Sequence, residues 1–195
     1  MVSHPVALLI GDSIALGYAP GLDRFLAGKI RVEVIPENGG DSSNVLANLE
    51  KWVAGCQPHI IHVNCGLHDL RVDPKTGFYQ QPVDRYRKNL EEIVRRLRAK
   101  TEARLVWATT TPVIVDRHNT SKPFHRYDRD IDAYNQAAID SMARDGNIAI
   151  DDLYAVVEHY GRAKCIADDG VHMTEDGYEV LAQSVRDSLL AAVPE

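Results

Sequence analysis

Short apolar or β-branched runs alternate with stretches of helical spacing along the whole chain, and this alternation limits the folds open to it. Val6–Ile10 is a continuous apolar run that stops at Gly11, the pattern of a strand buried on both faces. Arg31–Ile35 is β-branched and closed by Pro36. His59–Asn64 enters after Pro58 and ends before Gly66, Arg104–Thr109 runs into a threonine series and Pro112, and Asn147–Ile150 is the last candidate. Between them, Ser42 or Ser43 is expected to cap a helix with Val45, Leu46, Leu49, Trp52 and Val53 on one stripe. Pro82 suits a first helical position ahead of Val83, Tyr86, Leu90, Ile93, Val94 and Leu97. Ile131, Tyr134, Ala138, Ile139 and Met142 form a further stripe. Thr174 is placed to cap a last helix, with Glu175 and Asp176 in the first turn, where the helix dipole favours acids. Strands alternating with helices predict a parallel five-stranded α/β sheet covered on both faces, a three-layer α/β/α domain spanning residues 1–195.

A chain of 195 residues can bury roughly 70% of its unfolded surface, so it needs no metal or disulfide staple. Its 28 acidic and 22 basic side chains give a net charge of −6, against a general nucleic-acid binder. Cys56, Cys65 and Cys165 form no CxxC pair, and an odd number makes a poor disulfide framework. The run Val6–Ile10 is too short to span a membrane and lacks the basic flank of a signal peptide, so a cytoplasmic protein is expected, although a trimmed secreted chain would look the same. His59 and His62 are three apart on a strand and therefore on opposite faces, which argues against a shared metal ion.

Ligands of open parallel sheets bind at the carboxyl ends of the strands. Those ends carry Gly11-Asp12-Ser13, Asn38-Gly39-Gly40-Asp41 and Gly66-Leu67-His68-Asp69, and Asp169-Gly170-Val171-His172 precedes the last helix. A serine hydroxyl becomes a nucleophile when an imidazole takes its proton, and the imidazole needs a carboxylate to fix its tautomer. Asp169 and His172 are spaced to meet on a tight loop. The backbone N–H groups of Ser13 and Gly40, with the His68 ring, can donate to an oxyanion. Asp12 and Asp69 are expected to support the loops by accepting N–H bonds. Taken singly these signals are weak: Ser13 alone reads first as a helix cap, and His172 equally as a polar loop residue. Their joint placement on one sheet edge is the stronger observation.

The four blocks, in this order from Val6 to the C-terminal helix, resemble the SGNH hydrolase superfamily of GDSL-type esterases and lipases. The resemblance implies a flavodoxin-like three-layer fold and no cofactor. It assigns Ser13 as nucleophile, His172 as general base and Asp169 as its orienting acid, with Gly40 in the oxyanion hole. The third block departs: the family pattern Gly-x-Asn-Asp reads Gly66-Leu67-His68-Asp69 here. His68 takes the oxyanion role of the asparagine, but a ring nitrogen donates only when it carries the proton.

Two stretches, Leu67–Gln81 and Pro112–Tyr127, are long enough as loops to serve function. Arg71, Arg117, His125 and Arg126, with Phe124 and Tyr127 interleaved, are candidates to meet a polar or anionic substrate; the alternative is a solvated loop whose charges pair with Asp116, Asp128 and Asp130. The basic residues of Pro82–Lys100 are mixed with acids and read as a solvated face. The expected activity is hydrolysis of short-chain, chiefly acetyl, esters of a polar or carbohydrate alcohol. A lysophospholipase or thioesterase on the same triad, or a ligand-binding module on the same fold, are the alternatives. The expected partner is a small-molecule ester, with neither nucleic acid nor membrane, and the sequence does not fix the oligomeric state.

Overall fold

The computed structural model describes residues 4–194. The first strand, β1 (Val6–Ile10), is buried along its whole length, as its unbroken apolar run requires. It pairs in parallel with β2 (Arg31–Val34) on one side and β3 (Ile60–Val63) on the other, so that Leu8 faces Glu33 and Ile61. β4 (Arg104–Ala108) and β5 (Ile148–Asp151) extend the sheet, giving the order β2-β1-β3-β4-β5. The predicted five-stranded parallel sheet and its three layers are therefore present.

The chain moves one way from β1 to β2 and the other way through β3, β4 and β5. Right-handed crossovers then put α1 (Ser13–Leu26) on one face and α2 (Ser42–Ala54), α3 (Val83–Lys100) and α5 (Asp128–Asp145) on the other. Contacts agree: α2 packs on α3 and α3 on α5, while α1 packs on α8 (Glu175–Ala191), which returns from β5. The reversal between β1 and β3 opens a crevice at their carboxyl ends.

The structure corrects several local expectations. α2 is capped by Asp41, whose side chain accepts from Asn44 N, and not by Ser42 or Ser43. Ser42 is turned inward to a buried carboxylate instead. Pro82 is the extended residue before α3 and not its first helical residue. Ile139 is only half-buried. The stretch 112–127 is not an open loop: it contains α4 (Val115–Ser121). Two short helices, α6 (Leu153–Tyr160) and α7 (Arg162–Cys165), follow β5. The two long segments are also tied together, because Val72 N donates to His125 O at 2.9 Å and His125 N to Val72 O at 2.8 Å. No described helix is long and apolar enough to cross a membrane.

Gly66 leads from β3 into the third loop with φ of +146°, and a Cβ there would stand 2.4 Å from Thr110 Oγ1. Gly66→Ala is therefore expected to lower the unfolding free energy by about 1–3 kcal/mol from the backbone alone, read by urea denaturation. A stability within error of the parent would contradict this account of the loop.

Candidate active site

Asp12, and not Ser13, caps α1: its Oδ1 accepts Ile14 N at 2.9 Å. This leaves Ser13 as the first helical residue with its hydroxyl free. At the far end of the chain Thr174 caps α8, its Oγ1 accepting Gly177 N at 3.0 Å as expected. The loop before it is closed by Ala167 N donating to His172 O at 2.8 Å and Thr174 N to Cys165 O at 2.8 Å. These two helix starts bring residues 159 positions apart into contact. Ser13 Oγ lies 3.0 Å from His172 Nε2, and His172 Nδ1 lies 2.6 Å from Asp169 Oδ2. Asp169 Oδ1 also accepts the backbone N–H groups of Val171 and His172, at 3.1 and 3.0 Å. Burial would raise the Asp169 carboxyl, but the hydrogen bonds from the His172 ring, Val171 N and His172 N outweigh it and hold it down at about 2. An ionised Asp169 accepts only, so His172 Nδ1 carries the proton and Nε2 accepts the serine hydroxyl.

The second loop approaches the first through Gly39 N, which donates to Gly11 O at 2.9 Å. Gly40 has φ of +63°, and its N–H donates to Asn38 Oδ1 at 2.9 Å. That amide already has a partner, which the sequence did not foreshadow.

Asp69 staples the third loop to the second. Both its oxygens lie 3.0 Å from Ser42 N, and Ser42 Oγ donates to Oδ1 while accepting Asn89 Nδ2 at 2.8 Å. Burial pushes the Asp69 carboxyl up to about 7 against the lowering effect of Ser42. Asp12 is also raised by burial, with the Ile14 bond and nearby cations opposing, and its Oδ2 is buried without a partner among the described residues. His68 stands between two groups: its Nε2 is 3.8 Å from Asp12 Oδ2 and 3.3 Å from Arg71 Nη2. Burial and the Arg71 and Arg126 charges hold the His68 ring down at about 4.

The basic residues proposed for substrate contact separate. Arg126 is only 3% exposed and its donors are used inside the protein, Nε on Leu67 O at 2.7 Å and Nη1 on His118 Nε2 at 3.1 Å. Burial and Arg71 bring its guanidinium down to about 9. It buttresses the third loop from within and does not face solvent. Arg71 and Arg126 share the Phe124 ring, at 4.3 and 5.1 Å from its centroid. Arg117 reaches Ile166 O at 3.5 Å, and His125 Nδ1 pairs with the Tyr127 hydroxyl at 3.1 Å. Only Arg71 of the four is beside His68.

Sequence reading did not foresee that Ser42 serves Asp69, that Asn89 joins them, that His118 is buried, or that Lys122 Nζ stands 3.9 Å from Asp169 Oδ2. Asn89 had a visible signal: it is a polar residue adjoining the apolar stripe Tyr86, Leu90 and Ile93. The burial of His118 had none, because it comes from Phe124 and Arg126 folding over a short helix. Among the described residues no group of three or more His, Cys, Asp or Glu side chains could hold a metal ion.

Burial, with Arg126 and Lys122 next in effect, holds the His118 ring down at about 4 from an ordinary 6.5. The unfolded chain therefore binds this proton and the folded chain does not between those values, so the neutral ring's contribution is lost as pH falls. The stability advantage of the parent over His118→Gln is expected to shrink by on the order of 3 kcal/mol between pH 7 and 4. A pH-independent difference in urea denaturation would refute it.

The model of the GDSL-like Lipase/Acylhydrolase family matches residues 9–180. No curated protein matches the chain. Among solved structures, the lipase/acylhydrolase from Enterococcus faecalis is 21% identical with a TM-score of 0.82, covering 98% of each chain. The acetyl xylan esterase AlAXEase is 18% identical with a TM-score of 0.74, covering 94% of this chain and 99% of its own. An acetyl esterase mutant bound to acetate ion is 17% identical with a TM-score of 0.71, covering 96% and 97%. At these identities the likeness concerns the fold, while the family match spans most of the sequence. The chain belongs to the GDSL-like lipase/acylhydrolase family and is a carboxylic ester hydrolase.

Proposed function

We propose that the protein hydrolyses short-chain, chiefly acetyl, esters of a polar or carbohydrate alcohol through a Ser13–His172–Asp169 triad. The observation that carries this reading is the unbroken hydrogen-bonded line from Ser13 Oγ through His172 to Asp169. Ser13 Oγ attacks the ester carbonyl as its proton passes to His172 Nε2. Asp169, held ionised, fixes the ring and stabilises the imidazolium that forms. His172 then gives the proton to the leaving alcohol, and afterwards deprotonates the water that hydrolyses the acyl-enzyme.

The negative charge on the carbonyl oxygen is received by Ser13 N–H, Gly40 N–H and the His68 ring. Gly40 N–H reaches it when Asn38 releases that amide, an exchange of one hydrogen bond for another. The preference for a small acyl group rests on the polar surroundings of the triad, where Asp12, His68, Arg71 and Lys122 stand close. Two proteins of similar fold carry acetyl ester substrates in their names, which supports the same chemistry here.

A fluorophosphonate probe is expected to add once to the intact protein, on Ser13, and not at all to Ser13→Ala by mass spectrometry. Absence of an adduct on folded parent protein would overturn the assignment. Asp169→Asn is expected to reduce kcat by about 10⁴ through loss of the correct tautomer; a loss under tenfold would remove Asp169 from the triad. With p-nitrophenyl esters, acetate should give a higher kcat/KM than octanoate, and the reverse order would point to a lipid substrate.

A further inference from the structure

His68 occupies a position where the direction of a single proton decides whether the side chain can donate. The turn after Gly66 brings residues three apart onto one side: Leu70 N donates to Gly66 O at 3.0 Å and Arg71 N to His68 O at 3.4 Å. Arg71 Nη2 thereby comes within 3.3 Å of His68 Nε2. A guanidinium has donors and no acceptor, so this contact requires the lone pair on Nε2 and the proton on Nδ1. The competing attraction is Asp12 Oδ2, which would favour a proton on Nε2. At 3.8 Å it is beyond hydrogen-bonding distance.

The other nitrogen is suited to the task. His68 Nδ1 has no partner among the described residues and is not among the atoms sealed from solvent. Nδ1 is also three bonds from Cα, the same reach as the amide nitrogen of an asparagine. Free histidine favours the opposite tautomer, with its proton on Nε2, so the useful form has to be imposed. Arg71 is itself held for this purpose, with its guanidinium 4.3 Å from the Phe124 ring centroid. Arg126 fixes the same loop by donating to Leu67 O at 2.7 Å. Burial and these two cations keep the ring neutral, so the second proton that would place N–H on both sides is disfavoured.

We propose that Arg71 is a positioning residue that locks His68 in its Nδ1–H tautomer, so that the ring presents one fixed donor to the ester oxyanion. The proposal rests on the reading of Ser13 as nucleophile. It makes the His68-for-asparagine exchange a paired change, in which Arg71 supplies the orientation that an amide has by itself.

The test is nitrogen-15 NMR of the full-length labelled protein, with the ring assigned by its absence in His68→Asn. Near neutral pH the parent should show a protonated Nδ1 and an unprotonated Nε2 at His68. Arg71→Met, which has no N–H to donate, should shift the ring toward Nε2–H, and Arg71→Lys, which still donates, should restore Nδ1–H. Arg71→Met should lower kcat for p-nitrophenyl acetate by about tenfold to a hundredfold with KM little changed, no more than outright loss of an oxyanion donor costs. In the His68→Asn background the same substitution should cost at least about fivefold less. A parent ring protonated on Nε2, or Arg71→Met leaving the tautomer unaltered, would overturn the proposal. So would a kinetic loss confined to anionic esters, which would make Arg71 a substrate contact. The spectrum reads the tautomer whether or not Ser13 takes the fluorophosphonate, so failure of the triad assignment is distinguished from failure of the lock.

Discussion

β1 hydrogen-bonds to β2 on one edge and β3 on the other, and the site depends on that double pairing. Because the chain leaves β2 and crosses back over β1, the loops after β1, β2 and β3 meet at one end of the sheet with their helices on different faces. Ser13, Gly40 and His68 are delivered by those three loops, and α8 returns over α1 to bring His172 to Ser13. A sheet wound in one direction only would leave no crevice between the first and third loops. The apolar continuity of Val6–Ile10 is what permits it, since only a strand buried on both faces can lie at the reversal.

Three buried or half-buried carboxylates divide the work at this end of the sheet, and their surroundings separate them. Asp169 accepts three hydrogen bonds and is held strongly acidic, which keeps it a permanent acceptor for His172. Asp69 is spent on Ser42 and welds the second and third loops together. Asp12 caps α1 with one oxygen, and its other oxygen is buried beside His68 with no partner among the described residues. An unpartnered carboxylate oxygen is costly to bury. Burial leaves this carboxyl raised, and the Ile14 N–H bond and the charges of Arg126 and Arg71 offset only part of that cost.

The basic and aromatic residues of the two long segments turn inward more than their composition suggests. Phe124 carries two guanidiniums, and Val72 and His125 exchange backbone hydrogen bonds across the segments. The result is a buttress beneath the third loop, tied to it by Arg126 Nε on Leu67 O. A donor to an oxyanion must be preorganised to be of use. A histidine ring, with two candidate nitrogens, needs more outside support for this than a carboxamide does.

Much of the fold was legible in the sequence because its signals are local. Unbroken apolar runs made the strands, stripes such as Val83 to Leu97 made the helices, and Thr174 capped α8 as its spacing predicted. The residues of the proposed triad were marked in the sequence too, as Ser13, Asp169 and His172 each sit at a strand end or helix start. Capping was misread where two neighbouring residues could serve: Asp41 took the cap because Ser42 was claimed by Asp69, 27 residues away. Whether Arg126 faces solvent or the interior, whether Gly40 N–H is free, and which nitrogen of His68 carries the proton were all decided by partners distant in sequence. The sequence determined which strands and helices form and which chemical groups end them, because periodicity and capping act over a few residues. Only the tertiary structure decided how those groups are paired and protonated, because hydrogen-bond partners and burial depend on segments that meet after the chain has folded.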